Sequence, residues 1–329
     1  MSTVKLHEES KSTVTLADIK RAARRIGSYT HRTPVVTCES IDRIANTQLF
    51  FKCENLQKAG AFKFRGAVNA LANLAPQDLA KGVVTHSSGN HAGALALAAK
   101  MFGTRAFLVM PENSIQVKRN AVLEYGGELI SCLPNSEARE TKAAEVQKQT
   151  GAIMIPPYDH YDIIAGQGTA AVELLHQMPN LDLLVAPVGG GGLLAGTAIA
   201  SRGISPRVKV IGAEPAGADD AYRSKVANRR LPQENPQTIA DGLRTGVGEL
   251  TWPFIQRWVS EIQTVSEDEI VETMQLFWER SKIIIEPSSA VAVAVAMRLH
   301  QTLEVRNRNI GVILSGGNAD LENLPWGKK

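Results

Sequence analysis

A chain of 329 residues with 44% apolar and 21% charged side chains has the balance of an ordinary globular protein, long enough for one large or two linked α/β units. Its 36 basic and 33 acidic residues leave a formal charge of +3 with no concentrated basic run, which argues against a nucleic-acid partner. The polar start at 1–11 lacks a signal-peptide core, no stretch approaches the roughly 18 apolar residues of a membrane helix, and Cys38, Cys53 and Cys132 suit neither a metal knuckle nor a disulfide framework, so a cytoplasmic protein without a membrane segment is expected.

The first motif in chain order is Lys52-Cys53-Glu54-Asn55-Leu56-Gln57-Lys58-Ala59-Gly60-Ala61-Phe62-Lys63-Phe64-Arg65-Gly66-Ala67. Gly60 predicts a loop that delivers Phe62 and Lys63 at the start of a helix reaching about residue 74. An imine-forming lysine must sit where its amine is uncharged and reaches a carbonyl carbon. The spacing alone does not separate Lys63 from a solvated lysine at a helix start.

From about residue 80 the chain alternates β-branched runs with helical segments. A strand at 82–86 leads to Ser87-Ser88-Gly89-Asn90-His91 and a helix at 92–102. Strands at 106–110, 128–133 and 152–155 follow, separated by helices at 114–125 and 136–150. Such alternation predicts parallel pairing, because each crossover needs a helix to return the chain. The amides at a helix N-terminus favour an anion, so the Ser-Ser-Gly-Asn-His segment suits a carboxylate. An ordinary N-cap by Ser88 or Asn90 explains the same residues.

A second series starts with a helix from Gly166 to His176 and a buried strand at 183–188. That strand runs into Gly189-Gly190-Gly191-Gly192-Leu193-Leu194-Ala195-Gly196, where successive amides could converge on a phosphate. Gly190-x-Gly192-x-x-Ala195 also fits a dinucleotide fingerprint, and Glu214, at the end of a strand at 208–213, stands where an acid would take an adenosine ribose. After a loop-rich stretch at 216–253, helices at 267–282 and from Ser288 lead to a last strand at 310–314 and Ser315-Gly316-Gly317-Asn318. Two α/β domains that share the chain discontinuously are expected, with the site between them at the carboxyl ends of the strands.

A hydride-transfer enzyme has no use for the Phe62-Lys63 loop or the Ser-Ser-Gly-Asn-His helix start. A pyridoxal enzyme needs a phosphate cradle, an imine lysine, a wall for its ring, a partner for the pyridine nitrogen and a carboxylate site. The motifs supply each part once.

In these motifs, and in Phe51-Lys52-Cys53-Glu54-Asn55, Ala165-Gly166-Gln167-Gly168-Thr169, Ile239-Ala240-Asp241-Gly242 and Ile285-Glu286-Pro287-Ser288, the chain resembles the serine racemase and serine/threonine dehydratase family of pyridoxal phosphate enzymes, fold type II. It is most similar to the racemase branch with its threo-3-hydroxyaspartate dehydratases. The resemblance implies two open, mainly parallel twisted sheets flanked by helices, a small domain at 79–156, and a large cofactor domain from 1–78 and 157–329. It implies that Lys63 holds the cofactor and serves as base on one face, with Ser88 facing the other side of the α-carbon. Asn90 would bond the phenolic oxygen, Phe62 would pack on the ring, Gly189, Gly190, Gly191, Gly192 and Leu193 would hold the phosphate, and Ser315 would meet the pyridine nitrogen.

By the same resemblance Ser87, Ser88, Asn90 and His91 take the substrate carboxylate, and Arg139 and Thr245 stand near the substrate's outer end. Glu214, Ala218 by its carbonyl, and Asp220 match the racemase branch's Mg²⁺ or Ca²⁺ site, a hard-cation arrangement of oxygens. A homodimer is implied. Gly93 and Tyr158 replace a glutamine and an asparagine of the animal racemases, so ATP regulation is not carried over, although Lys58 and Tyr125 match. The activity implied is interconversion of L- and D-serine, with elimination of water from a 3-hydroxy amino acid to a 2-oxo acid and ammonia. A threo-3-hydroxyaspartate ammonia-lyase, a cysteine-synthase-type replacement enzyme, an NAD-dependent dehydrogenase and a non-catalytic relative stand as alternatives.

Overall fold

The structure is a computed structural model that describes residues 13–87, 89–302 and 308–327. Its strands are β1 (Val35–Val36), β2 (Gln48–Cys53), β3 (Val83–His86), β4 (Ala106–Pro111), β5 (Glu128–Cys132), β6 (Ile153–Met154), β7 (Leu183–Pro187), β8 (Lys209–Pro215), β9 (Val259–Val265) and β10 (Asn309–Leu314). They form a six-stranded sheet in the order β1-β2-β10-β7-β8-β9 and a four-stranded sheet in the order β5-β4-β3-β6. Every pairing is parallel except β1 with β2. The expected α/β architecture of two mainly parallel sheets is therefore present.

The central strands β7 and β10 read as apolar runs because both faces are covered. Leu184, Ala186 and Ile313 face a core that includes Ile19, Ile164, Leu175 and Ile199. Leu183, Val185, Val312 and Leu314 face an opposite core of Ile41, Ile270, Phe277 and Val291. The period of two along each strand sorts these residues to the two layers.

Three differences from the expected elements have physical reasons. The helix read as starting at Gly166 spans Tyr161–Gln177. Its glycines look like breakers, yet they allow close helix packing: a Cβ on Gly166 would lie 2.6 Å from Gly66 Cα, and one on Gly196 would lie 2.6 Å from Gly168 N. The loop-rich stretch contains a short helix, Asp220–Ala227, closed by Asn228 in the left-handed conformation. At the end of that stretch Trp252–Trp258 is helical, and β9 then adds an edge strand. Only three of its seven residues are buried, so its apolar signal is weak.

Candidate active site

A cleft of about 960 Å³ opens between the two sheets, where β3, β7 and β10 end. Phe62 and Lys63 line it, as do Ser87, Asn90 and His91. The glycines 189–192 with Leu193, and Arg139, Thr245 and Ser315, line it as well. Ser88 lies outside the described residues; its neighbours Ser87 and Gly89 both line the cleft.

Lys63 opens the helix Lys63–Ala72, and the preceding segment is fastened to the end of β10. Ala61 bridges Gly316, and the Phe62 amide donates to the Ser315 carbonyl at 2.9 Å. The Lys63 ammonium donates to the Pro157 carbonyl at 2.7 Å and lies 5.1 Å from the Phe62 ring centroid. Its head reaches the cleft, but protein atoms crowd it on the other sides. Burial pulls its pKa down to about 8, against the opposing pull of the Glu286 charge.

Behind the lysine lies a buried ion network. Arg65 forks onto Glu54 at 2.7 and 2.8 Å and onto Glu173 at 2.7 and 2.9 Å. Lys52 meets Glu173 at 2.6 Å and the Thr33 carbonyl at 2.8 Å. Two cations and two carboxylates balance, which is the condition for keeping such groups inside a protein.

The glycine turn joins β7 to the helix Gly192–Ile204. Among the described residues, the amides of Gly189, Gly190, Gly191 and Gly192 donate no hydrogen bond. Gly191 is left-handed at φ 87°, and a Cβ on Gly190 would collide with the Tyr158 ring. A backbone with free donors and no side chains of its own is an anion cradle.

The helix Asn90–Phe102 points its N-terminus at the same space, and among the described residues no side chain caps its first-turn amides. The His91 ring is buried and its Nε2 faces the Ile155 carbonyl at 3.1 Å, which makes that nitrogen the donor. Burial and the nearby Lys63 charge push its pKa down to about 3. His91 is therefore a neutral ring, and its backbone is what suits an anion. The Asn90 amide donates to Glu286 at 2.7 Å and accepts from Asn318 at 3.0 Å. The Ser315 hydroxyl is buried and 3.2 Å from that of Ser289.

Several residues here carry no sequence signal of their own. Lys118, from the helix Gln116–Glu124 beside the four-stranded sheet, reaches Asp241 at 2.6 Å and Glu286 at 3.8 Å. Burial alone would pull Lys118 down, but Asp241 and Glu286 outweigh it and hold the ammonium above its usual range. Burial pushes Glu286 up, with Lys118 opposing. Asp241 and Glu286 occur in segments that resemble the family; Lys118 does not. No spacing rule joins residue 118 to residue 241.

Glu214, Ala218 and Asp220 lie together, and none of them lines the cleft. Glu214 is fully buried and accepts from the amides of Ala221 and Tyr222 at 3.0 and 2.8 Å. That leaves no exposed edge for a ribose, against the dinucleotide reading. Burial and the neighbouring Asp220 push Glu214 well above the usual carboxylate range. Burial lifts Asp220 to about 6, and its Oδ1 is a buried acceptor without a partner. Among the described residues no group of three or more His, Cys, Asp or Glu side chains is placed to hold a metal, so such an ion would need backbone oxygens as well.

Comparison with known proteins places this geometry. The family described as "Pyridoxal-phosphate dependent enzyme" matches residues 26–316. The serine racemase of Dictyostelium discoideum is 47% identical over 96% of this chain and 98% of its own. The beta-hydroxyaspartate dehydratase of Paracoccus denitrificans is 45% identical over 95% of this chain and 98% of its own. The structure of maize serine racemase superposes with a TM-score of 0.92 at 43% identity, covering 94% of this chain and 95% of that one. This chain belongs to the pyridoxal-phosphate-dependent enzymes.

Proposed function

We propose that the protein racemises serine and eliminates water from 3-hydroxy amino acids, giving a 2-oxo acid and ammonia. The observation that carries this reading is the meeting, in one cleft, of the Lys63 amine, the unpartnered amides of residues 189–192 and the uncapped helix start at Asn90. These parts fit an aromatic aldehyde phosphate: the free amides suit its phosphate, Phe62 offers an apolar face, and Ser315 presents a buried hydroxyl. Bound there, pyridoxal phosphate would supply a carbonyl for the substrate amine and a conjugated ring that accepts electrons from the α-carbon.

The residues of the chain do the rest. Lys63, with its depressed pKa, takes the proton from the α-carbon. The first-turn amides of the helix Asn90–Phe102 hold the substrate carboxylate. Arg139 and Thr245 line the same cleft, and the family resemblance gives them the substrate's outer end. Return of the proton from the opposite face inverts the centre, and the family resemblance gives that role to Ser88. Loss of the β-hydroxyl instead of reprotonation gives elimination, and a relative called a beta-hydroxyaspartate dehydratase supports that branch.

The test is the product mixture from L-serine and from threo-3-hydroxyaspartate, read by chiral chromatography and a 2-oxo acid assay. D-serine and pyruvate are expected from L-serine; absence of both would sink the reading. Ser88→Ala should lose about 10²-fold or more in racemisation while keeping some elimination.

The acidic pair also fits a bound Mg²⁺ or Ca²⁺, because two buried carboxylates and an orphaned Asp220 Oδ1 suit a hard cation. Glu214, the Ala218 carbonyl and Asp220 would hold it. Removal by EDTA should lower thermal stability and activity, and added Mg²⁺ should restore both. No response from protein verified metal-free would exclude the ion.

A further inference from the structure

We infer that Thr251, held in place by Asp159, is a positioning residue for the phosphate cradle: its hydroxyl fixes the peptide plane between Gly190 and Gly191 so that the Gly191 N–H faces the cleft. This rests on reading residues 189–192 as that cradle, and it deepens that reading.

The Gly190 carbonyl accepts from the Thr251 hydroxyl at 2.9 Å and from the Gly248 amide at 3.2 Å. Gly190 and Gly191 line the cleft, whereas Gly248 and Thr251 do not, so both donors stand behind the turn. Among the described residues no peptide bond is cis, and in a planar trans unit the C=O and N–H point in opposite directions. Pinning the oxygen backward therefore aims the following N–H forward. The Thr251 hydroxyl also lies 3.2 Å from the Gly248 carbonyl, but it has one proton and the Gly190 contact is shorter.

Such a clamp answers a specific weakness of the turn. Four consecutive glycines give the backbone its greatest freedom, so amides meant for one anion need an outside constraint. Thr251 is fully buried, and a Cβ on Gly191 would lie 2.8 Å from its Oγ1. Asp159 sets the turn that carries it. The Asp159 carboxylate accepts from the amides of Glu249 at 3.0 Å, Leu250 at 2.9 Å and Thr251 at 3.3 Å. A Cβ on Gly248 would collide with that carboxylate, while the adjacent Tyr158 ring lies against Gly190. Residues 158–159 thus touch the cradle and the turn that clamps it.

The test compares pyridoxal phosphate with pyridoxal, which lacks the phosphate, as ligands of the apoprotein in absorbance titrations. The ratio of their dissociation constants is the phosphate preference. Thr251→Val keeps the volume and removes the donor; it should lower the preference about tenfold and leave pyridoxal binding within about a factor of two. Thr251→Ser, which retains the hydroxyl, should keep the wild-type preference.

An equal loss for both ligands would reduce Thr251 to a structural role and overturn the inference, as would an unchanged preference. Gly192→Ala, whose added methyl would lie 3.3 Å from Tyr158, separates the two levels of the argument. If Gly192→Ala loses the preference and Thr251→Val keeps it, the cradle stands and the clamp falls. If the wild-type protein shows no phosphate preference, the cradle falls and the clamp with it. Should Thr251→Val fail to fold, Asp159→Asn carries the same comparison, with a partial loss of preference expected and none overturning the inference.

Discussion

A lysine that must join a carbonyl has to shed its proton near neutral pH, and burial does this for Lys63. Its pKa of about 8 means that the neutral fraction rises tenfold per pH unit below that value and levels off above it. The rate at which the apoprotein takes up pyridoxal phosphate, followed by absorbance, should show the same bend near pH 8. A rate that keeps climbing toward pH 10 would mean that the amine titrates like a surface lysine. His91 adds no second bend, since its ring is neutral throughout this range.

The sequence around Lys63 discloses none of this, because desolvation comes from residues distant along the chain. What identifies the lysine is the company of other motifs: a glycine turn after one strand, a serine-glycine loop after another, and the Ser-Ser-Gly-Asn-His helix start. Arg65, two residues on, was silent for the same reason. A buried arginine matched by Glu54 and Glu173 looks, in sequence, like any charged residue on a helix.

At the scale of elements, the helix Tyr161–Gln177 is the ruler that spaces the site. It packs against the lysine helix through Gly66 and Gly166, and against the helix behind the glycine turn through Gly168 and Gly196. Backbones meet there without side chains between them, which fixes the separation of the amine and the anion cradle. Gly166→Ala would put a methyl 2.6 Å from Gly66 Cα and 2.8 Å from the Arg65 carbonyl. Overpacking of this kind costs about 1–3 kcal/mol. A lower urea midpoint and a weaker hold on pyridoxal phosphate should therefore appear together. A variant of unaltered stability would show that the helices separate freely.

The alternation of strands and helices along the chain made the parallel sheets readable, since few other folds use that rhythm. Close helix contacts were not readable. A glycine that admits a neighbouring backbone and a glycine that ends a helix are the same letter, so the start of this helix was placed too late. The edge strand β9 escaped because an edge needs to bury only one face, and its residues carry too few apolar side chains to stand out.

Across the whole molecule, Lys118 joins the two sheets over the cleft. It belongs to the four-stranded side, while Asp241 and Glu286 belong to the six-stranded side. The Lys118 and Asp241 side chains are 3% and 14% exposed, so bulk salt screens the pair weakly. Removing one partner of a buried pair strands the other, at a cost of about 3–5 kcal/mol. Opening the cleft to water relieves that cost, so Lys118→Met should shift the enzyme toward an open arrangement. Substrate must be gripped between the two sides, and a smaller closed fraction raises its apparent KM in proportion, on the order of tenfold or more. The segment before Lys63 is fastened to β10 and the glycine turn follows β7, both of the six-stranded sheet, so the hold on pyridoxal phosphate should fall less than the grip on substrate. Hydrogen exchange in the helix Gln116–Glu124 should quicken, and Asp241→Asn should add little to Lys118→Met, because both break one contact. A cofactor affinity that falls as far as KM rises would instead make the pair part of the cofactor site.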